Sequence, residues 1–403
     1  MAASRTVMIA GAGIGGLTAA LAIAQAGFRV AIYDQAERLE EAGAGIQLSP
    51  NASRVLLALG LHDRLQPNLV VLEDLKILAV PSGRELARAP LGTAIAQRYG
   101  APYWVIHRGD LQAALVAAVL AHPDIKLQLG TRVEEFAHHP GGVTIVGTAA
   151  GRSIEARGLA LVIADGLWSR LRRRLGDTSA PRFAEHIAWR ALAPTEAVSD
   201  DLRGPTVHLW LGKNAHLVHY PVKGGRLINV VAIVRDRWAD QGWNAPADRR
   251  EVIGRFLPSV WPLETQILLA APERWHKWAL YDRAPLYRWG EGPITMLGDA
   301  VHPMLPFLAQ GGAMAIEDAA VLAHCLAAEP TDISRAMRSY ERQRRARTAR
   351  TQRAARQNAT SYHLGGVPAF LRNMALAAMG GERLIRRYDW LYGWRPPEGI
   401  RAS

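Results

Sequence analysis

The sequence predicts an α/β fold: a Rossmann-like dinucleotide-binding domain interleaved with a mainly antiparallel β domain, plus C-terminal helices. Three observations support this prediction. The chain opens with a complete βαβ pattern over residues 6–34. Its composition changes near Gly176, and residues 187–285 show alternating strands rich in Trp, His and Tyr. From residue 313 the pattern becomes helical, and after residue 328 it is also rich in arginine.

The first motif is a glycine-rich turn between a short apolar strand and a helix. Gly11, Gly13 and Gly16 have the spacing GxGxxG. The first glycine permits the tight turn, the second lets the backbone approach a pyrophosphate, and the third lets helix and sheet pack closely. The helix N-terminus favours a diphosphate because its N–H groups are unpaired. Asp34, at the tip of the second strand, is placed to accept a hydrogen bond from a ribose 2′-hydroxyl.

The length of the chain predicts two domains, because 403 residues exceed the usual size of a single core. We assign residues 1–68, 101–178 and 286–350 to a discontinuous cofactor-binding domain. Residues 69–100 and 179–285 form the substrate-binding domain, and residues 351–403 form a C-terminal helical segment.

Several protein classes are disfavoured by composition. The apolar runs are shorter than the roughly 20 residues of a membrane-spanning helix. The first strand begins within a few residues of the N-terminus, which leaves no room for a signal peptide. Cys325 is the only cysteine, so the chain has no internal disulfide and a cytoplasmic location is expected.

The net charge of +12 comes almost entirely from arginine. Arginines concentrate at residues 170–174 and 342–356, in helical patterns without interleaved aromatic residues. We therefore expect solvated helix faces rather than a nucleic-acid site. Under this interpretation, changing Arg344, Arg345 and Arg347 to Gln should leave activity nearly intact.

The remaining elements follow in order along the chain. A helix at residues 55–59 would be capped by Asn51 or Ser53, and Asp110 would cap a helix at residues 111–120. Other predicted features are a hairpin around residues 81–83, a meander of short strands at 126–129, 132–136, 143–146 and 153–155, a buried strand at 159–164, a strand at 294–297, and a long helix at 313–328.

Five motifs stand in order at residues 11–16 (GAGIGG), 43–47 (GAGIQ), 107–111 (HRGDL), 164–169 (ADGLWS) and 298–304 (GDAVHPM). A longer stretch, PFLAQGGAMAIED at residues 306–318, is more specific than any of them. With these motifs the sequence resembles the single-component FAD-dependent aromatic hydroxylases, the group A flavoprotein monooxygenases. It is most similar to their salicylate hydroxylase, 3-hydroxybenzoate 6-hydroxylase and 6-hydroxynicotinate 3-monooxygenase branch, nearly from end to end.

The resemblance implies roles for the residues that would hold FAD. Asp299, after Gly298, would bond the hydroxyls of the ribityl chain. The backbone N–H groups of Gln310, Gly311 and Gly312 would face the flavin ring, where such donors stabilise the charge of the reduced flavin.

Other cofactor residues are implied by the same family motifs. Gly45 and Ile46 belong to the second glycine-rich turn, and Arg108 would reach the ribityl-phosphate region. Asp165 matches the acid implicated in binding both FAD and the nicotinamide cofactor, although Ala164 stands where the family usually has Gly. Arg172 either completes that motif or is an exposed arginine.

The substrate strand is predicted around residues 214–221. His216 and Tyr220 share one face of the strand because side chains alternate, whereas His219 points to the other face. The resemblance implies that His216 and Tyr220 contact a phenolic substrate and that Gln47 lies near its ring. A metal site at His302 is not expected, because no partner ligand has the required spacing.

The predicted function is an FAD monooxygenase that hydroxylates a small hydroxylated aromatic or pyridine carboxylic acid. The resemblance implies that NADH or NADPH reduces the flavin and that O₂ adds to it as a C4a-hydroperoxide. The nicotinamide cofactor would visit transiently, since the chain has no second GxGxxG. Histidine suits the general base that removes the phenolic proton. A monomer or homodimer is expected, without nucleic-acid or membrane partners.

Three alternatives remain open at this point. One is a flavin oxidoreductase of the same fold that does not insert oxygen into its substrate, or that epoxidises an alkene. A redox-sensing flavoprotein would use the fold without catalysis, but the intact flavin loops disfavour it. A pure NAD dehydrogenase is disfavoured because it would have no role for Gly298 and Asp299.

Overall fold

The computed structural model describes residues 5–39 and 44–397. Gly43, in the second glycine-rich turn, lies outside the described residues. The strands are β1 (Thr6–Ala10), β2 (Arg29–Tyr33), β3 (Gly45–Leu48), β4 (Val70–Val71), β5 (Asp74–Ala79), β6 (Glu85–Pro90), β7 (Trp104–His107), β8 (Ile125–Gln128), β9 (Thr131–His139), β10 (Gly142–Ala149), β11 (Arg152–Gly158), β12 (Ala160–Ile163), β13 (Arg182–Pro194), β14 (Thr206–Gly212), β15 (Ala215–Val222), β16 (Leu227–Arg235), β17 (Asn244–Ala247), β18 (Trp275–Asp282), β19 (Gly290–Glu291) and β20 (Ile294–Met296).

The helices are α1 (Ile14–Gln25), α2 (Pro50–Ala58), α3 (His62–Leu65), α4 (Gly92–Tyr99), α5 (Arg108–Ala121), α6 (Leu171–Arg174), α7 (Arg249–Arg255), α8 (Leu263–Ala270), α9 (Gly311–Ala328), α10 (Ile333–Tyr362), α11 (Gly366–Met379), α12 (Gly381–Arg386) and α13 (Asp389–Tyr392). Short 3₁₀ turns include Gly298–Ala300 and Pro306–Leu308. Because α10 continues past residue 350, the predicted domain boundary there falls inside one helix.

The first layer is a six-stranded sheet in the order β19-β20-β12-β1-β2-β8. Its strands run parallel except for β19. Helices α1 and α9 pack together, and Leu17 and Ile316 of these helices are fully buried in the same core as Ile9 and Val162. Helix α9 is long and apolar enough to span a membrane, but 72% of it is buried within the protein. It is therefore a core helix.

The second layer is an eight-stranded sheet in the order β17-β18-β13-β16-β15-β14-β5-β6. Its pairs are antiparallel apart from β5 with β14. One face, with Leu209 and Leu211, joins a core that contains Ala355 of α10. The opposite face, with Trp189, packs against Phe256 after α7. The predicted fold class, with an interleaved antiparallel domain and C-terminal helices, is confirmed.

Both predicted helix caps are wrong. Helix α2 begins earlier, at Pro50, because a proline suits the first helical position. The Asn51 side chain instead donates to Glu317, and the Ser53 hydroxyl donates to the carbonyl of Pro102. Helix α5 also begins earlier, so Asp110 lies in its first turn and pairs with Lys223.

The predicted meander is wrong in its first strand. Residues 125–128 form β8, which extends the parallel sheet by pairing with β2. The antiparallel meander consists of β9, β10 and β11. Alternating apolar and polar residues suit an edge strand of a parallel sheet as well as a strand of an antiparallel meander. The sequence pattern therefore did not distinguish β8 from the meander strands.

The predicted solvated face of the arginine-rich helix is also wrong at its most important position. Arg344 is 1% exposed. Its Nε donates to Asp318 Oδ1 at 2.7 Å, and its Nη1 donates to Glu317 Oε2 at 2.6 Å. Arg347 donates to the two oxygens of Glu317 at 2.7 Å each. These arginines bind α10 to α9, and we call the four residues the buried charge cluster.

Asp318 extends this cluster to the turn that follows β20. Its Oδ2 accepts hydrogen bonds from the Gly298 N–H at 3.1 Å and from His302 Nε2 at 2.5 Å. Burial alone would raise the pKa of Asp318, but the charges of His302 and Arg344 and their hydrogen bonds lower it to about 2. Asp318 is therefore a buried carboxylate, and the hydrogen bond that it accepts from the Gly298 N–H fixes the turn after β20.

We expect Arg344→Met to lower the free energy of unfolding by about 3–5 kcal/mol, because Glu317 and Asp318 would remain buried with an incomplete set of partners. Urea denaturation in the presence of excess FAD measures this change. Arg342→Gln is the matched control, since Arg342 lies on the exposed face of the same helix. Equal unfolding midpoints for the two variants would contradict the structural role of the cluster.

Candidate active site

One cavity of about 1100 Å³ lies between the carboxyl edge of the parallel sheet and one face of the eight-stranded sheet. Every predicted site residue lines it: Gly11, Gly13, Gly16, Asp34, Gly45, Ile46, Gln47, Arg108, Asp165, His216, Tyr220, Gly298, Asp299, Gln310, Gly311 and Gly312. Motifs that are almost 300 residues apart in the sequence thus meet around one space. Ligands of open α/β sheets bind at this edge.

The glycine-rich turn at the start of α1 is shaped for a backbone-lined phosphate site. Gly11 has a φ of +113°, and a Cβ there would overlap the carbonyl oxygen of Ala164. A Cβ on Gly16 would overlap the carbonyl oxygen of Gly11, so both positions need glycine. A Cβ on Gly13 would meet no atom of the described residues within 4 Å. Gly13 therefore keeps the space in front of the helix open.

Asp34 is held by the turn that it faces. Its Oδ2 accepts from the Ala12 N–H at 2.6 Å, and its Oδ1 accepts from the Ala36 N–H at 2.8 Å. Each carboxylate oxygen retains a further acceptor position. The side chain is therefore fixed at the cavity wall and can accept hydrogen bonds from a ligand.

Two helix N-termini open into the cavity, those of α1 and α9. Neither has a side-chain cap among the described residues. Gly13 is the N-cap residue of the first helix, and Gly311 and Gly312 begin the second. Uncapped N–H groups and the positive ends of two helix dipoles suit an anionic or electron-rich ligand.

The side chain of Gln310 turns away from the cavity, although its backbone lines it. Its Nε2 donates to Ser49 Oγ at 2.8 Å, and its Oε1 accepts from Asn51 Nδ2 at 3.1 Å. This anchoring fixes the backbone that precedes α9. Gln310 would therefore contact a ligand through its backbone.

Two acids face the cavity with raised pKa values. Asp299 is enclosed by the surrounding protein, and this enclosure raises its pKa although the charges of His302 and Arg108 oppose the shift. Its side chain nevertheless opens onto the cavity. Burial raises the pKa of Asp165 to about 6, against the lowering effect of a hydrogen bond with Ser169. One buried oxygen of Asp165 lacks a hydrogen-bond partner among the described residues. These acids are suited to hydroxyl groups of a ligand.

Arg172 is not the exposed arginine that one interpretation allowed. It is 2% exposed, its Nε donates to Asp177 at 2.5 Å, and its Nη1 donates to the carbonyl oxygen of Ala300 at 2.9 Å. It thereby ties the segment after Asp165 to the turn that contains Asp299. Its role in the described structure is to hold these two segments together.

Strand β3 joins the two sides of the cavity through three consecutive residues. A Cβ on Gly45 would lie 2.6 Å from the ring of Tyr220, so this glycine lets the strand pass beneath the tyrosine. A Cβ on Gly312 would lie 2.7 Å from Cδ1 of Ile46. Gln47 Oε1 accepts from the Tyr103 hydroxyl at 2.8 Å. The strand therefore packs against the α9 end and against the strand that carries Tyr220.

His216, Val218 and Tyr220 of β15 face the cavity together. His219 has the opposite orientation and stacks on His208, with ring centroids 4.4 Å apart. Strand pairing places Val231 beside Val218, and Arg190 beside Val231. This row of the sheet forms the floor of the cavity.

The floor combines a neutral histidine with a protonated tyrosine. His216 is 2% exposed, and burial lowers its pKa well below the usual value, assisted by His363 and His186. Its Nδ1 lies 2.7 Å from Nε2 of His363. Burial raises the pKa of Tyr220, although Arg190 opposes the shift. At neutral pH, His216 is therefore an uncharged hydrogen-bond acceptor, and Tyr220 is a hydrogen-bond donor.

Sequence reasoning missed Arg190 and His363. Arg190 lines the cavity, and its guanidinium lies 5.1 Å from the ring centroid of Trp278, another lining residue. Its place in an alternating strand, in register with the His216 face, was a usable signal. His363 follows α10, outside every motif, so no local pattern marked it.

The described residues fit FAD. Their glycine-rich turn, two open helix ends and polar side chains facing one cavity define a dinucleotide-binding flavoprotein. A family model described as "FAD binding domain" matches residues 4–355. The chain therefore belongs to this FAD-binding family of enzymes, and the family predicted from the motifs is confirmed.

Individual relatives are similar along nearly the whole chain. The 3-hydroxybenzoate 6-hydroxylase of Polaromonas naphthalenivorans is 36% identical over 96% of this chain and 96% of the relative. The 6-hydroxynicotinate 3-monooxygenase of Bordetella bronchiseptica is 36% identical over 87% and 91%, respectively. The crystal structure of Klebsiella pneumoniae HpxO with FAD and uric acid is 26% identical, with a TM-score of 0.84 over 96% of each chain.

We expect Asp299→Ala to weaken FAD retention, because ribityl hydroxyls would lose an acceptor within an enclosed site. The purified variant should be folded but depleted of flavin, which the ratio of flavin to protein absorbance measures. Asp63→Ala is a control on the surface, where the side chain of Asp63 is 97% exposed. Unchanged flavin content in Asp299→Ala would show that the turn at Gly298 does not bind the ribityl chain.

Proposed function

We propose that this protein is an FAD-dependent monooxygenase that hydroxylates a small aromatic carboxylic acid carrying a ring hydroxyl. The first candidate substrates are 3-hydroxybenzoate and 6-hydroxynicotinate, on which relatives act according to their names. The observation that carries the proposal is the cavity floor. On this floor, the neutral His216, the protonated Tyr220 and Arg190 line the same cavity as the residues proposed to hold FAD.

His216 is the proposed general base. A phenolate is a stronger nucleophile than a phenol, so removing the phenolic proton activates the ring. Burial keeps His216 neutral, so its imidazole presents the unprotonated nitrogen that a general base requires. Its Nδ1 faces His363, which leaves Nε2 for the substrate.

Tyr220 and Gln47 are proposed to orient the substrate. Tyr220 remains protonated, because burial raises its pKa, and it therefore donates a hydrogen bond instead of accepting the proton. Gln47 is held by the Tyr103 hydroxyl at 2.8 Å, so its amide faces the cavity in a fixed orientation.

Arg190 is proposed to bind the substrate carboxylate. A guanidinium forms strong, often bidentate, hydrogen bonds to carboxylates. Arg190 lies on β13, two strands away from His216, which separates the carboxylate site from the base by about the width of a substituted ring. This separation favours an acid whose hydroxyl and carboxylate are not adjacent.

The cofactor-side residues are proposed to hold FAD along the parallel sheet. The glycine turn and the α1 N-terminus would bind the pyrophosphate, Asp34 the ribose, and Arg108 and Asp299 the ribityl-phosphate region. The residues at the start of α9 would face the flavin ring. Bound FAD, reduced by NADH or NADPH, would activate O₂ for transfer of one oxygen atom to the ring. We propose a cytoplasmic location, supported by the single, buried cysteine.

The alternatives receive less support from the cavity. An epoxidase or a non-inserting oxidoreductase would not need a buried neutral base beside an arginine. A redox sensor would not need a cavity large enough for a second ligand.

The proposal is tested by NADH and NADPH oxidation with 3-hydroxybenzoate, 6-hydroxynicotinate and benzoate, with oxygen uptake and products followed together. We expect one hydroxylated acid to accelerate oxidation and to yield a product whose ring carries one new hydroxyl group derived from O₂. Benzoate, which lacks the hydroxyl, should give no hydroxylated product. Oxidation that neither hydroxylated acid accelerates would contradict the proposed substrate class.

We expect His216→Ala to bind FAD normally but to lose efficient oxygen transfer. General-base catalysis is typically worth ~10²–10⁴-fold, so product formation should fall within that range. NAD(P)H oxidation should continue and yield hydrogen peroxide instead of product. The measurement is the ratio of product to NAD(P)H consumed, with His219→Gln as the control on the opposite face of β15. A wild-type ratio for His216→Ala would remove His216 from the mechanism.

We expect Arg190→Met to raise KM for 3-hydroxybenzoate about 10- to 100-fold, since a hydrogen bond to a charged group is worth about 1.5–3 kcal/mol. The uncharged 3-hydroxybenzamide should show little change between wild type and variant. Arg190→Lys, which keeps the charge, should lie between the two. A similar loss for the acid and the amide would mean that Arg190 does not bind the carboxylate.

A further inference from the structure

Three histidines from separate elements form a chain that begins at the cavity. Nδ1 of His216 lies 2.7 Å from Nε2 of His363, and Nδ1 of His363 lies 3.0 Å from Nε2 of His186. Nδ1 of His186 lies 2.5 Å from the carbonyl oxygen of Ala184. The chain thus runs from the substrate floor to a half-buried residue.

The carbonyl of Ala184 fixes the tautomer of every ring. A carbonyl oxygen accepts hydrogen bonds and cannot donate them, so Nδ1 of His186 carries a proton. In neutral rings, Nε2 of His186 then accepts from Nδ1–H of His363, and Nε2 of His363 accepts from Nδ1–H of His216. Burial lowers the pKa of all three histidines, which favours the neutral forms. Nε2 of His216 is therefore an acceptor.

Local structure holds the three rings in line. The backbone of His363 ends α10, and its carbonyl accepts from the Asn214 N–H at 3.1 Å. This bond ties the end of the helix to the turn before β15. His186 follows Glu185, which has a φ of +55° at an irregularity of β13. The irregularity aims His186 at His363.

Phe307 covers the chain from the side of the cofactor loop. Its ring centroid lies 5.2 Å from those of His216 and His186, and 5.7 Å from that of His363. The chain is therefore shielded over most of its length and open towards solvent at His186. The C-terminal end of a helix also favours a transient positive charge on His363.

We propose that His216, His363 and His186 form a proton relay that carries the substrate's phenolic proton away from the cavity. The inference rests on the proposed function, in which His216 is the base. The substrate O–H bond breaks as Nε2 of His216 takes the proton. His216 then passes its Nδ1 proton to His363, and His363 passes its own Nδ1 proton to His186. The positive charge reaches the half-buried His186, where Glu185 favours it and Arg235 opposes it. The reverse passage reprotonates the product and restores the three tautomers.

The test uses 3-hydroxy-4-nitrobenzoate, whose phenolate is coloured, mixed with FAD-loaded protein at mildly acidic pH in a stopped-flow instrument. The variants are His363→Gln and His186→Gln, because an amide accepts the neighbouring hydrogen bond but does not pass on a proton. His219→Gln is the control, since it removes a buried histidine from the opposite face of β15. His186→Gln also serves if His363→Gln fails to fold.

We expect both relay variants to form bound phenolate at least about tenfold more slowly than wild type, a smaller loss than the ~10²–10⁴-fold of removing a general base. Probe Kd and flavin content should stay within about twofold of wild type. Wild-type rates in both variants would overturn the relay, and slow phenolate formation in His216→Ala would then leave the proposed function intact. A wild-type rate in His216→Ala would overturn the base and the relay together.

Discussion

The rest of the site depends on the buried charge cluster of Glu317, Asp318, Arg344 and Arg347. One oxygen of Asp318 holds the Gly298 turn, while Glu317 reaches Asn51, which in turn reaches Gln310. The cluster therefore fixes two backbone segments that line the cavity, the Gly298 turn and the segment at Gln310. A buried ion pair contributes little net stability by itself, but removing one partner is costly. Its value here is geometric: it holds the turn after β20 and the start of α9 in one arrangement.

The same arrangement brings the cofactor side and the substrate side of the cavity into contact. Gly312, at the start of α9, packs on Ile46, and the neighbouring Gly45 packs beneath Tyr220. Phe307 lies in the loop before α9 and covers His216. A shift of the α9 start would thus change the cavity floor at His216 and Tyr220 as well as the Gly311–Gly312 side of the cavity. This coupling explains why the motif at residues 306–318 carries both backbone donors and apolar side chains.

Local motifs made much of the site predictable from the sequence. The glycine turn, Asp34 and the Gly298–Asp299 turn depend on residues that are close in the chain, and strand alternation placed His216 and Tyr220 on one face. Pairings between distant helices were not predictable in the same way. Arg344 looked like one arginine among many, although it shares a helical spacing with the buried Met337, Tyr340 and Thr348. His363 gave no local signal, because its role depends on where a 30-residue helix ends.

The most direct measurement of the central claim is a crystal structure of the protein with FAD and 3-hydroxybenzoate. We predict that the flavin ring lies beside the backbone of Gly311 and Gly312, with the phenolic oxygen within hydrogen-bond distance of Nε2 of His216. We also predict the substrate carboxylate at Arg190. A substrate whose hydroxyl lies away from His216, or whose carboxylate occupies the position assigned to the phenolic oxygen, would contradict the account.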